Sequence, residues 1–332
     1  MPNLSINTKS LILLWAFAES GIGGILHGLK LPLTGIFVGG IAVICIALLG
    51  FYDEQNKNSI LKALAIVLMV KLTVSPHSPW QAYVAVIFQG YLGHLIFRNN
   101  QHFSVKTIVF SMLCLLESAV QKILISLLIY GVDFFHAIDT SAQSIGKTFG
   151  YGGDGSLIML IFSIYVLLYI MVGIVIGLWI PSIPKQVFEL SKHMPVMEKD
   201  NEANKNHFKR QSKSILLGFF GLAFILLVMY WLVPSMKLTE LLFIFFRAVT
   251  VSLGLIFIVG PIILRIIRRY SKGLPLEKKL LGEILDEIPL FSEKAFQVLH
   301  WVNGEYRGWT KIKYMVLGLL VLGQSQNQGE KI

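Results

Sequence analysis

Apolar residues fall along this chain in long unbroken runs, separated by short polar stretches. A hydrocarbon layer about 30 Å thick takes roughly 20 residues of helix to cross. Runs of suitable length occupy 11–27, 33–51, 60–73, 80–97, 108–130, 157–180, 215–233 and 241–264. Backbone groups in lipid must bond within their own segment, so each run predicts a helix. The run at 60–73 is short, and Lys62 and Lys71 are expected to extend it by laying their stems along apolar surface toward water. Pro181 and Pro184 predict the end of the sixth helix, and Pro234 that of the seventh. The expected fold is an all-α polytopic membrane protein with about eight transmembrane helices.

The polar stretches divide the chain. Residues 1–180 read as a six-helix unit with short connections, apart from an outer loop at 131–155. Residues 181–213 read as a charge-mixed cytoplasmic linker, and 214–264 as a transmembrane helix pair. Residues 265–332 are basic, with helical apolar periodicity in LEKKLLGEILDEI and FSEKAFQVLHWV, and are expected on the inner membrane surface or against a cytoplasmic partner. The closing KIKYMVLGLLVLG run is too short to span and is expected to be interfacial. No small-residue cleavage site follows the first run, which reads as a retained helix.

Composition agrees with lipid as the solvent. Hydrophobic residues make up 55% of the 332 positions and charged residues 14%, against about 25% charged in a soluble domain. The net charge of +10 raises nucleic acid as a partner, but the basic residues gather in loops and in the C-terminal part. With the N-terminus cytoplasmic, 23 of the 29 Lys and Arg residues lie inside and four outside. That bias predicts both termini in the cytoplasm, a multi-pass protein of an inner (plasma) membrane, and no nucleic-acid role. Cys45 and Cys114 each sit within an apolar run, which disfavours both a disulfide framework and a thiolate metal site.

Catalytic signatures are weak. Ser144-Ile145-Gly146-Lys147-Thr148 ends like a phosphate-binding loop, but Ser141 stands where its first glycine belongs and no strand precedes it. Asp53 and Asp154 loosely suggest an aspartyl protease, yet the topology puts them on opposite faces, about 30 Å apart. HExxH and GxSxG are missing, and no histidine pair has metal spacing. The expectation is no enzyme, no metal and no cofactor.

Two features invite function. Ala16, Ser20 and Gly24 recur every four residues on the first helix, a small-residue stripe that lets another helix approach closely, from the same chain or from a partner subunit. Glu19, Glu117 and Lys122 lie within the apolar runs, where charge is costly; Glu117 shares a face with Gln121, and Ser118 with Lys122. Two readings stand open. One is an internal network in which Glu19 or Glu117 neutralises a Lys. The other is a solute site drawing on Glu117, Gln121 and Lys122 together with His27, Lys30, Lys71, His77, Trp80, Gln81, Tyr83, Asp133 and His136 at the outer ends. Cationic groups outnumber acids there, which favours an anionic or carboxylate-bearing solute.

On this arrangement of six helices, on the stripe and on the glycine-rich GIGGILHGLKLPLTGIFVGG, the first 180 residues resemble the substrate-binding (S) component of an energy-coupling factor transporter. The resemblance implies an outward pocket lidded by 28–32, 75–78 and 131–155. It also implies a stripe facing a transmembrane coupling (T) component, which connects to two cytoplasmic ATPases and takes up vitamins or metal ions. Glu305-Tyr306-Arg307-Gly308 distantly resembles the Arg-Gly signature by which T components dock on ATPases, with Tyr306 where the family has alanine. Arg307 and Gly308 are then the expected coupling residues of a fused chain. An ATP-independent secondary transporter or channel, and a non-transporting membrane scaffold, are the competing expectations.

Overall fold

The apolar runs fold as helices. The computed structural model describes residues 8–28, 33–52, 58–75, 78, 80–99, 101–148, 156–195, 276–308 and 310–325, and all its regular structure there is helical. Helix α1 (Thr8–Phe17) passes through a π-helical turn (Ala18–Ile22) into α2 (Gly23–Gly28). Then come α3 (Thr34–Tyr52), α4 (Ser59–Val74), α5 (Trp80–Ile96), α6 (Phe103–Thr148) and α7 (Leu157–Trp179). A 3-10 turn (Ile180–Ser182) containing Pro181 ends α7 and leads into α8 (Ile183–Ser191); α9 (Leu276–Glu305) and α10 (Thr310–Ser325) follow. Residues 1–195 and 275–332 form one compact unit. The second unit, 196–274, contains the expected helix pair and most of the expected linker and lies outside the described residues.

Two segments differ from the sequence reading. The expected outer loop at 131–155 is helical as far as Thr148. The chain leaves helical geometry only at Gly131 (φ 75°, ψ 161°), a region essentially reserved for glycine, so α6 bends there and resumes. Beyond the bend Phe135, Ile138, Asp139, Ala142 and Gln143 are half-buried at helical spacing while the residues between them are exposed, a one-sided pattern that mixes apolar and polar residues and so reads as a loop. Asp139 joins this arm to α7: it accepts from the Ile158 N–H at 2.9 Å and from Ser156 Oγ at 2.5 Å. The start of the expected linker is also helical, because Ile183, Val187 and Leu190 recur at i, i+4, i+7 and give α8 a buried face.

Helix α1 is enclosed. Every residue from Ser10 to Ser20 is buried, and α1 packs against α3, α4, α9 and α10. Helix α9 carries a heptad-like seam of Ile284, Ile288, Phe291, Ala295, Val298 and Val302, all buried, with Val298 and Val302 against Gly318 of α10. Phe291 sets its ring edge against Phe17 at 5.4 Å. Lys9 bridges to Glu287 at 2.7 Å and Glu283 at 3.0 Å. Burial alone would lower the Lys9 pKa, but these two carboxylates outweigh it and hold the ammonium above its ordinary value. Gly308, at φ 63°, makes the tight turn from α9 to α10, and Tyr306 stacks on Tyr314 across it at 3.8 Å. The C-terminal run expected at the interface thus has its apolar half, Leu317–Leu322, buried within the unit.

Helices α6 and α7 are joined by their backbones. Gly173 and Gly177 are spaced as a GxxxG pair, and a Cβ at Gly173 would lie 2.8 Å from Met112 Cα. The approach brings Ser111 Oγ within 2.7 Å of the Gly173 carbonyl and Thr107 Oγ1 within 2.9 Å of the Gly177 carbonyl. Outward, α7 exposes Leu160, Ile164, Leu167, Met171, Val175 and Leu178, and α5 a stripe of Val84, Ile87, Phe88, Tyr91 and Leu95. Among the described residues, three helical segments are long and apolar enough to cross a membrane: Thr34–Tyr52, Phe103–Ser144 and Leu157–Ser191.

A side chain at Gly177 must displace the α6 backbone, where a Cβ would collide with Ile108 Cα. Thermal unfolding in mild detergent is expected to show Gly177→Leu destabilised by roughly 1–3 kcal/mol or more. Thr107→Val, which loses one interhelical hydrogen bond, is expected to lose about 0.6 kcal/mol.

Candidate functional site

The site begins with the π turn. A π turn closes each backbone ring over one residue more than an α-helix and re-aims the side chains around it, which is why such turns gather at functional positions. Here it holds Ala18–Ile22 and carries Glu19, whose side chain is 5% exposed. Lys71 of α4, 1% exposed, donates to Glu19 Oε2 at 2.6 Å. The Tyr83 ring lies 5.8 Å from the ammonium. Ser20 Oγ donates to the Ala16 carbonyl at 2.5 Å. Just beyond, Ser75 fits against Gly24, where a Cβ would come within 3.0 Å of Ser75 Oγ. Ser75 is held by Ser78 Oγ at 2.9 Å and accepts from Tyr83 OH through its carbonyl at 3.3 Å.

Beside Glu19 opens a cavity of about 460 Å³. Helix α3 contributes Thr34, Gly35, Val38 and Gly39; its glycines leave room next to Ser118. Helix α5 contributes Gln81, Ala82, Ala85 and Gln89 from one face. Helix α6 contributes Ser118, Gln121, Lys122, Ile125 and Ser126, and, nearer its bend, Ile129 and Tyr130. Tyr169 of α7 closes one side and accepts a hydrogen bond from Tyr165 at 2.9 Å. Gln121 Nε2 donates to the Gln81 main-chain carbonyl at 3.1 Å and fixes the α5–α6 spacing. Among the described residues, no donor reaches the buried Oε1 of either Gln81 or Gln89. Further along the bundle Val43, Ile46, Leu48, Phe110 and Cys114 are fully buried, beside the polar Thr107 and Ser111 whose hydroxyls are bonded to α7 carbonyls.

Of the residues expected at a solute site, Gln81, Gln121 and Lys122 come together here. Lys71 is displaced from its expected place: it neither reaches water nor lines the cavity but is spent on Glu19, because a buried ammonium requires a counter-charge. Glu117 lies outside the lining, with its Oε2 buried and no partner among the described residues. Asp133 and His136 are exposed on α6 past its bend, and the helix that replaced the expected loop carries them away from the lining. His27 belongs to α2 and Trp80 opens α5, while Lys30 and His77 lie outside the described residues. The stripe residues Ala16 and Ser20 are buried within the unit, and Gly24 meets Ser75 of the same chain. Arg307 and Gly308 are exposed in the turn between α9 and α10. The phosphate-loop-like Ser144–Thr148 segment is the last turn of a helix; Asp53 and Asp154 lie outside the described residues.

Sequence reasoning did not single out Gln89, Thr34, Gly35, Gly39 or Tyr169. The signal for Gln89 was its i+8 spacing from Gln81, with Ala85 between, a polar–small–polar stripe inside an apolar run.

Removing one partner of a buried ion pair leaves the other charge uncompensated. Lys71→Met and Glu19→Gln are each expected to destabilise the purified protein by about 3–5 kcal/mol. The double variant is expected to recover most of that loss. A thermal-unfolding double-mutant cycle checks it; additive losses would show that the two side chains do not depend on one another.

In comparisons with known proteins, no protein-family model, no curated protein and no solved structure matches this chain.

Proposed function

We propose that this chain is a multi-pass protein of a cell's inner (plasma) membrane that captures a small solute from the outer side for uptake driven by partner ATPases. The observation that carries the reading is the cavity of about 460 Å³, with polar side chains from α5 and α6 and Glu19, neutralised behind it by Lys71, at its wall. The buried, mostly apolar side chains beyond that polar lining suit capture better than a continuous channel. The outward apolar faces of α5, α6 and α7 support lipid contact, since a soluble monomer rarely exposes so much contiguous apolar surface. On this reading the chain crosses the bilayer about eight times, with both termini cytoplasmic. The bias of Lys and Arg then puts the cavity, near the starts of α3 and α5, in the outer half.

The resemblance to energy-coupling factor S components supplies the partners of this proposal, a transmembrane coupling subunit and two cytoplasmic ATPases. The C-terminal hairpin favours a chain that carries part of the coupling function itself. It grips α1 through Phe291 and Glu287, on the helix that bears the small-residue stripe, and offers the exposed Arg307 at its turn.

Affinity purification of the full-length protein from native membranes in mild detergent, with mass spectrometry of what accompanies it, tests the proposal. The expected result is an ATPase pair together with a small molecule that is lost from Ser118→Trp, a substitution that fills the cavity. A lone protein with neither ligand nor ATPase would sink the proposal.

A further inference from the structure

The cavity lining has a chemical bias beyond being polar. Both charged side chains of the lining are engaged inside the protein: Lys122 has its own interaction there, and Glu19 is neutralised by Lys71 at 2.6 Å, so the acidic wall offers no uncompensated carboxylate to an ammonium-bearing solute. Lys71, expected to help attract an anion, is unavailable for the same reason. What the lining offers repeatedly is the carboxamide. Gln81 and Gln89 share one face of α5 and Gln121 joins them from α6. Each carboxamide pairs one acceptor with two donors in a plane, and so matches a partner that places N–H beside C=O.

Gln89 identifies the reading position. It is 2% exposed, yet its Oε1 has no donor among the described residues. A buried amide left unsatisfied destabilises the empty protein, and a helix of this composition could hold leucine or methionine there at no such cost. It packs close to Gly39: a Cβ there would lie 3.3 Å from Leu115 Cδ2, 3.4 Å from Gln89 Nε2 and 3.8 Å from Ser118 Oγ, so a residue without a side chain is what leaves the amide its place beside Ser118. The same lining also presents apolar surface from Val38, Ala85, Ile125 and the Tyr169 ring. Gln81 repeats the unsatisfied oxygen two turns away, about 12 Å along the helix.

We infer that the captured solute is an uncharged, flat apolar molecule bearing a carboxamide-type edge, a primary amide, lactam or ureide, read by Gln89 with Ser118 and Gly39 in the cavity lining. The inference rests on the capture reading and names its ligand class.

Three probes of one size and shape separate the possibilities: benzamide, benzoate and benzylamine, at millimolar concentration with the full-length protein in lipid nanodiscs, followed by saturation-transfer NMR. Benzamide is expected to bind, with benzoate and benzylamine at least about tenfold weaker. Gln89→Met is expected to weaken benzamide about tenfold while raising the unfolding midpoint of the solute-free protein, because it removes an unsatisfied amide. Gln81→Met provides the same paired readout should the first variant not assemble. Benzoate or benzylamine binding as tightly as benzamide would overturn the amide class and leave capture standing. Binding of none of the three would overturn the inference and count against capture as well. A Gln89→Met protein that melts lower and binds benzamide unchanged would show a purely structural glutamine and overturn the inference.

Discussion

The ion pair between Glu19 and Lys71 constrains the rest of this unit. Two opposite charges 2.6 Å apart, almost wholly out of contact with water, tie the π turn of the first helix to α4. In a low-dielectric interior neither charge is tolerable alone, so the two helices are held in one register by the cost of separating them. The π turn lets Glu19 reach Lys71 while the helix continues on to Gly24 and its fit against Ser75. Glu19 also lines the cavity, so the same residue that fixes α1 shapes the candidate site.

From that anchor the remaining architecture follows in layers. Helix α1 is covered on all sides, by α3 and α4 and by the C-terminal hairpin, whose seam runs through Phe291 to Phe17 and whose carboxylates hold Lys9. Helices α6 and α7 form a second, tighter pair through Gly173 and Gly177. The cavity is the gap left where these two groups meet α3 and α5, kept open by glycine on α3 and lined by amides on α5 and α6. The first helix thus touches both the cavity, through Glu19, and the C-terminal hairpin, through Phe17 and Lys9.

The helical frame was legible because it depends on run length. Six of the expected runs coincide with α1 through α7, and Pro181 marks the end of α7. Features that depend on partners distant in the chain were not legible. That Glu19 neutralises a lysine was one of the two open readings, but Lys71 near a helix end looks like a snorkelling residue, and only the fold shows that it is the partner, 52 positions away. Asp133 and His136 look like loop residues because the arm beyond Gly131 mixes apolar and polar residues, and only the half-buried Phe135 and Ile138 reveal a helix. Gln121 and Lys122 could be chosen because polar groups in an apolar run demand an explanation. Gln89 obeys the same rule, but its importance lies in an unsatisfied oxygen that no spacing displays. The Gly173–Gly177 pair is visible as a spacing, while its partner surface, Thr107 and Ser111, needs the fold.

The most direct test of the account is the accessibility of the cavity from each side of the membrane. Cys45 and Cys114 are replaced by alanine, Ser118 by cysteine, and a small membrane-impermeant thiol reagent is applied to intact cells and to inside-out vesicles. The account predicts rapid labelling from the outer side and little from the inner side. Equal labelling from both sides would reveal a continuous pore, and no labelling from either side would mean that the cavity does not open to water; each contradicts the account.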